Sequence, residues 1–121
     1  MDSKNENSQL NLWNDLNENN SLKDIQNYIK EVIKIRGFSD QKIENTMLLL
    51  TEEIGELAKA IRKESTTMSI DKNKIGNYDT VESEVADVFI VLTSICNKLD
   101  IDLFSAIKEK EKQNINRQWN R

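Results

Sequence analysis

The sequence contains no histidine, and this absence excludes several kinds of active site. Without histidine the chain cannot build a Ser-His-Asp triad, an ordinary histidine-dependent zinc site, or the Glu-x-x-His pairs of di-iron helical bundles. The single cysteine, Cys96, lies in the apolar run VFIVLTSIC, and no histidine is present to activate its thiolate. We therefore predict that Cys96 is a buried core residue.

The sequence also lacks proline, an excess of basic residues and any long apolar run. Without proline, no predicted helix is interrupted. The net charge of −4 argues against stable nucleic-acid binding, which needs a net basic surface. No apolar run approaches the roughly 18 residues of a membrane helix, and the N-terminus lacks a signal-peptide pattern. We expect a cytoplasmic protein that does not bind a membrane.

Helical periodicity runs through most of the chain. Residues 1–20 are rich in Asn and Ser and predict a mobile tail with one docking turn, for which the only apolar anchors are Leu10, Leu12, Trp13 and Leu16. After this tail we expect four helices, at about 22–36, 40–63, 79–99 and 103–119. A long loop over 64–78 separates the second helix from the third. No strand pattern appears, so we predict an all-α four-helix bundle over residues 21–121, small enough that oligomerisation would help to stabilise it.

Capping signals mark the expected helix ends. Ser21 and Asp24 resemble a capping box, and Gly37 predicts the end of the first helix. Asp40 and Asp102 are the expected N-caps of the second and fourth helices.

Four carboxylates interrupt the apolar stripes of the second and third predicted helices. On a helical wheel the stripe of the second helix consists of Met47, Leu50, Ile54, Leu57 and Ile61. The stripe of the third consists of Val81, Val85, Val88, Leu92 and Ile95. Glu53 and Glu84 fall inside these arcs, Glu56 and Asp87 lie at their margins, and Glu52 points outward. Each pair is spaced i, i+3, which stacks the two side chains on one helix face.

These acids predict a cation site. Carboxylates at the edge of a core repel each other and lose hydration, so a bound cation is the natural compensation. Arg62 or Lys59 could compensate instead, although the wheel places both on the polar side. Because only carboxylates are available, the site suits Mg²⁺, with Mn²⁺ as a substitute. We predict that the ligands are Glu53, Glu56, Glu84 and Asp87.

The last predicted helix changes from apolar to basic along one face. The apolar part of this expected inward face is Leu103, Ala106 and Ile107. Lys110, Asn114 and Arg117 continue the face at i, i+4 and i+7. Beside a metal site they would suit a polyphosphate, because Arg offers a fork of donors and Lys a point charge. Alternatively, the helix end simply emerges into water, with its lysines favoured by the helix dipole.

Two segments resemble the EExxE…ExxD signature of MazG-type nucleotide pyrophosphohydrolases, namely LLLTEEIGELAKAIRK and VESEVADVFIVL. A third segment, KEKQNINRQW, is similar to the family's closing Lys, Asn and Arg pattern. The resemblance covers about residues 21–119. It implies an all-α dimer or tetramer that cleaves a nucleoside triphosphate between the α and β phosphates, releasing pyrophosphate, in a role such as nucleotide pool cleansing. It also implies that the four acids ligate Mg²⁺ and act in catalysis, that Glu52 is a candidate base, and that Lys110, Asn114 and Arg117 bind the nucleotide.

Other interpretations stay open at this point. Phe38 either stacks on the base or anchors a loop, and Trp119 either closes the pocket or packs at an interface. The chain could be a relative with a narrower substrate, such as a dimeric dUTPase or a phosphoribosyl-ATP pyrophosphohydrolase. It could also be a non-catalytic, metal-binding helical oligomerisation module, which a closed coordination shell would favour.

Overall fold

The computed structural model describes residues 3–65 and 80–119. Within these ranges the chain forms five helices and no strand, so the all-α prediction is confirmed. The helices are α1 (Ser3–Asn14), α2 (Leu22–Ile35), α3 (Ile43–Ser65), α4 (Val81–Lys98) and α5 (Leu103–Ile115). None of the described helices is long and apolar enough to cross a membrane. From residue 66 onward, the loop predicted over 64–78 lies outside the described residues.

The structure corrects the helix count from four to five, because α1 lies in the segment that the sequence predicts to be a tail. The helix packs against α2, and Nε of Arg36 donates a hydrogen bond of 2.9 Å to Oε1 of Gln9. A short polar helix has little stability of its own and depends on such tertiary contacts. The Asn- and Ser-rich composition predicts no more than one docking turn here, because it does not identify α2 as the partner.

The chain divides into two compact units. The first contains α1, α2, α5 and the end of α4 from Cys96 onward, and the second contains α3 and the rest of α4. The predicted acidic ligands all belong to the second unit.

Both ends of α2 form as their local sequence predicts. The Ser21 hydroxyl accepts the backbone N–H of Asp24, whose carboxylate accepts the backbone N–H of Ser21, each at 3.0 Å. At the other end Gly37 has a φ of +84°, and the backbone N–H of Phe38 donates to the carbonyl of Ile33 at 3.0 Å. These bonds form a capping box and a Schellman motif, so both predicted caps are confirmed.

The starts of the next helices follow the predictions less closely. Asp40 does not cap α3, because the helix begins three residues later, at Ile43. Asp79 lies outside the described residues, and the Thr80 hydroxyl accepts a backbone N–H from the first turn of α4 at 3.1 Å. Asp102 caps α5 as predicted, accepting the backbone N–H of Ser105 at 3.0 Å.

A buried polar network in the first unit fixes the corner between α4 and α5. Gln26 of α2 is only 2% exposed, and its side-chain amide donates to the Asn97 side chain at 3.2 Å and to the Ile101 carbonyl at 3.0 Å. Its side-chain oxygen accepts the backbone N–H of Leu103 at 2.8 Å. This network was not predicted, although a glutamine on the apolar face of the first predicted helix was its signal.

The structure also corrects the predicted core face of α3. Met47, Ile54 and Ile61 were expected inside, yet they are 52%, 51% and 43% exposed. The buried residues of this helix are Thr46, Leu50 and Ala60. The wheel predicts that the most apolar arc faces the core. In the structure these buried residues form a neighbouring line along the helix, called the buried line, which includes small and polar side chains.

The corresponding faces of α4 and α5 need a similar correction. Val85 and Leu92 of α4 are exposed. The buried residues of α4 are Glu84, Thr93, Ser94 and Cys96, so the prediction for the cysteine is confirmed. No residue of α5 is buried, and Ala106 and Ile107, which were expected to point inward, are exposed.

Candidate metal centre

Three acidic side chains from α3 and α4 come together in the second unit. Glu53, Glu84 and Asp87 each offer a carboxylate oxygen, and these oxygens all lie within 4.8 Å of one another. Glu84 is only 5% exposed, while Glu53 and Asp87 are half-buried. The structure therefore joins acids from two separate segments of the sequence into one cluster.

Helix geometry explains how the cluster forms. Glu53 lies on the buried line of α3, between Leu50 and Ala60. Glu84 and Asp87 are one turn apart near the start of α4, which the Thr80 cap fixes. Glu84 is in the first turn, where the helix dipole favours negative charge.

The ligand chemistry and spacing of the cluster fit a hard divalent cation. Mg²⁺ holds oxygens about 2.1 Å from its centre, so two oxygens on one ion are at most about 4.2 Å apart. Oxygens within 4.8 Å of one another can reach such an ion through small side-chain movements. The cluster offers carboxylate oxygens and neither thiolate nor imidazole, which suits Mg²⁺ or Mn²⁺ better than zinc.

The other two predicted acids of α3 stand apart from this cluster. Oε1 of Glu56 lies 3.6 Å from Nζ of Lys59, and both side chains are about half exposed. Glu52 is exposed. The structure thus groups three of the four predicted ligands. A direct role for Glu56 in metal binding stays a prediction. Lys59, which could have compensated the charge of the four acids, lies beside Glu56.

The predicted nucleotide-binding residues belong to the first unit. Lys110 is exposed on α5, and the half-buried Asn114 donates to the carboxylate three residues earlier at 3.4 Å. Arg117 lies beyond the end of α5, with its guanidinium 4.7 Å from the centre of the Trp119 ring. It therefore does not continue the helical face of Lys110 and Asn114, because the helix ends first. Phe38 is exposed in the turn after α2. Their joint use on a triphosphate stays a prediction.

In its described residues the chain is therefore an all-α protein with a carboxylate cluster that could hold a divalent metal. The family model of the MazG nucleotide pyrophosphohydrolase domain matches residues 41–121, which is more than half of the chain. The chain belongs to this family, whose members depend on a divalent metal. The match includes the clustered acids and begins at residue 41, later than the start near residue 21 that the resemblance suggests. The comparison with curated proteins gave no match.

Proposed function

We propose that the chain is a Mg²⁺-dependent nucleoside triphosphate pyrophosphohydrolase. It cleaves between the α and β phosphates and releases a nucleoside monophosphate and pyrophosphate. The observation that carries this proposal is the three-carboxylate cluster of Glu53, Glu84 and Asp87 within the residues that match the family model.

The acids of the cluster hold the cation, and each contributes according to its environment. Glu84 is the most buried of the three, while half-buried Glu53 and Asp87 leave the centre accessible to substrate. A bound Mg²⁺ would neutralise triphosphate charge and activate water for attack on phosphorus. Glu56 lies one turn from Glu53 and joins the ligands by turning away from its lysine neighbour. We assign Glu52, an exposed acid of α3, as the candidate proton acceptor.

The basic residues near the end of the chain bind the nucleotide in this proposal. Stacking on the Trp119 ring holds the guanidinium of Arg117 in one plane while its N–H edges stay available for phosphate oxygens. Lys110 and Asn114 supply a point charge and an amide donor on α5. Phe38, exposed after α2, is the candidate for stacking on the base.

We also propose that the protein works as a homo-oligomer, a dimer or a tetramer. Four large apolar residues of α3 are more than 40% exposed, namely Met47, Leu48, Ile54 and Ile61. Exposed apolar patches on a small domain commonly mark an interface, and a second copy would cover this one.

The proposed activity is tested by a screen of nucleoside triphosphates with pyrophosphate detection, with and without Mg²⁺. The Glu53→Gln and Asp87→Asn variants should lower the Mg²⁺-dependent rate by more than about 100-fold, since each removes a ligand. Their helical circular dichroism should match that of the parent. Glu44→Gln, an exposed acid in the first turn of α3, is the matched control and should keep the parent rate.

The same screen separates the alternatives. Activity confined to dUTP or phosphoribosyl-ATP would identify a narrower relative. A parent protein that binds Mg²⁺ yet releases no pyrophosphate from any nucleotide would identify a non-catalytic module. If both cluster variants hydrolyse nucleotides at the parent rate, the assignment of the catalytic acids is wrong.

A further inference from the structure

The hairpin of α1 and α2 lies before the residues that match the family model, and it carries a groove of its own. The Arg36–Gln9 hydrogen bond joins the two helices. In the turn between them, the backbone N–H of Asn17 donates to the Asn20 side chain at 2.8 Å, just before the capping box of α2. The walls of the groove are therefore held by specific contacts on both helices.

The groove is lined by half-buried apolar side chains and by exposed acidic side chains. Its volume is about 290 Å³, enough for one long side chain. The half-buried lining residues with large apolar side chains are Leu12, Leu16 and Tyr28, and the exposed acidic ones are Asp15, Asp24 and Glu31. Among the described residues, no lysine or arginine lines the groove.

These acids do not form a second metal centre. In the described part of the chain, only Glu53, Glu84 and Asp87 bring three carboxylate oxygens close together. The groove acids are instead spread around apolar side chains, which cannot coordinate a hydrated ion. Hydrogen bonds from the backbone N–H and then the hydroxyl of Ser21 hold the pKa of Asp24 below its ordinary value, so this carboxylate is negative at neutral pH.

We propose that this groove binds a basic amphipathic helical segment of a partner protein, with one of its Lys or Arg side chains seated between α1 and α2. The aliphatic stem of such a side chain packs on Leu12 and Leu16, and its charged head reaches Asp15 and Glu31. The ring of Tyr28 adds a surface that attracts cations.

A further apolar residue of α1 is exposed outside the lining of the groove. Trp13 follows Leu12 directly in α1, and its side chain is exposed. Tryptophan is enriched among residues that dominate binding at interfaces, and here it would meet the apolar residues of the same partner helix. A partner that combines basic and apolar side chains therefore fits the groove better than a purely charged one.

The test uses the full chain and a fluorescein-labelled probe peptide, LKKLLKLLKKLLKL, with binding followed by fluorescence anisotropy. The double variant Asp15→Asn, Glu31→Gln keeps side-chain shape, and it should weaken binding at least tenfold. The control double variant Glu44→Gln, Glu109→Gln removes the same charge from exposed positions of α3 and α5 and should change the affinity less than twofold. A peptide with Glu in place of every Lys should not bind.

Several results would overturn the proposal. The first is that the basic peptide does not bind. The second is that both double variants weaken binding equally, which would indicate general attraction to an acidic protein. The third is that a peptide with Ser in place of every Leu binds as tightly as the original peptide. Sedimentation of the protein without the peptide tests whether a second copy of this chain occupies the groove instead. If the groove variant abolishes self-association that the control variant retains, the groove is filled by a second copy of this chain and the proposal is wrong.

Discussion

Neutralising the buried acid of the metal centre should have opposite effects with and without Mg²⁺. Glu84→Gln keeps the shape of the side chain and removes one of three charges whose oxygens lie within 4.8 Å of one another. At 4.8 Å two unit charges repel by about 3.5 kcal/mol at an effective dielectric constant near 20, and by about 0.9 kcal/mol in water. Glu84 takes part in two such pairs, and its partners are half-buried. After allowance for the other interactions of this carboxylate, we expect the metal-free protein to gain roughly 1–2 kcal/mol.

The melting temperature measured in a chelator should therefore rise, at roughly 3–6 °C per kcal/mol for a chain of this size. Mg²⁺ at a hundred times its dissociation constant would stabilise the parent by about 2.7 kcal/mol. The variant lacks a ligand and should gain much less. The order of the two melting temperatures should consequently reverse when Mg²⁺ replaces the chelator. Glu82→Gln, an exposed acid in the same turn of α4, is the control and should show no reversal.

Two results would refute this reasoning. If Glu84→Gln lowers the melting temperature in the chelator, the carboxylate is held by a favourable structural interaction and like-charge repulsion is not the dominant effect. If Mg²⁺ stabilises the parent and the variant equally, the ion binds elsewhere. Glu56→Gln in the same assay reports on the fourth predicted ligand, since a direct ligand would reduce the stabilisation by Mg²⁺ whereas a solvated surface acid would not.

Two further predictions concern the corner between α4 and α5. Asp100 has a φ of +55°, a conformation that costs an L-residue energy and suits glycine. The Asp100→Gly variant should therefore raise the free energy of unfolding, measured in urea, by about 0.5–1 kcal/mol. A lower free energy of unfolding would contradict this prediction. Hydrogen bonds from the Ser105 hydroxyl and backbone N–H lower the pKa of Asp102 in the folded chain. The cap therefore stabilises α5 fully above the unfolded pKa of about 4, and this stabilisation is lost as the pH falls through the lowered pKa of the folded state. Asp102→Asn keeps a capping oxygen that does not titrate. Its melting temperature should fall less steeply below pH 4 than the parent's, and equal slopes would count against the assignment.

Features that depend on a few adjacent residues could be predicted from the sequence. The capping box of Ser21 and Asp24 and the glycine end of α2 formed as expected, because each rests on contacts within one helical turn. The i, i+3 pairing of Glu84 with Asp87 is local in the same way. Their meeting with Glu53 was inferred from two interrupted stripes, and the spacing of the oxygens in the structure agrees with it.

Features set by distant contacts could not be predicted in this way. The stability of α1 comes from α2, and the composition of the segment does not reveal that contact. Arg117 leaves the face of α5 because the helix ends before it, and the expected continuation to residue 119 had no cap or proline to limit it. The network around Gln26 joins residues more than 70 positions apart.

The misassigned face of α3 has a physical explanation that also bears on assembly. Met47, Ile54 and Ile61 are spaced by seven residues, and Leu50 and Leu57 lie between them at the spacing of a heptad seam. Leu50 is buried within the chain and Leu57 is half-buried, while the three residues of the other seam position are exposed. On a wheel these exposed residues lie about 100° from Glu53, whereas the buried line lies close to it. The apolar stripe therefore predicted the burial of Leu50 correctly, and it was wrong for the exposed residues of the other seam position. In the proposed oligomer its exposed half is the part that a second copy would cover, which leaves the carboxylate face of α3 free for the metal.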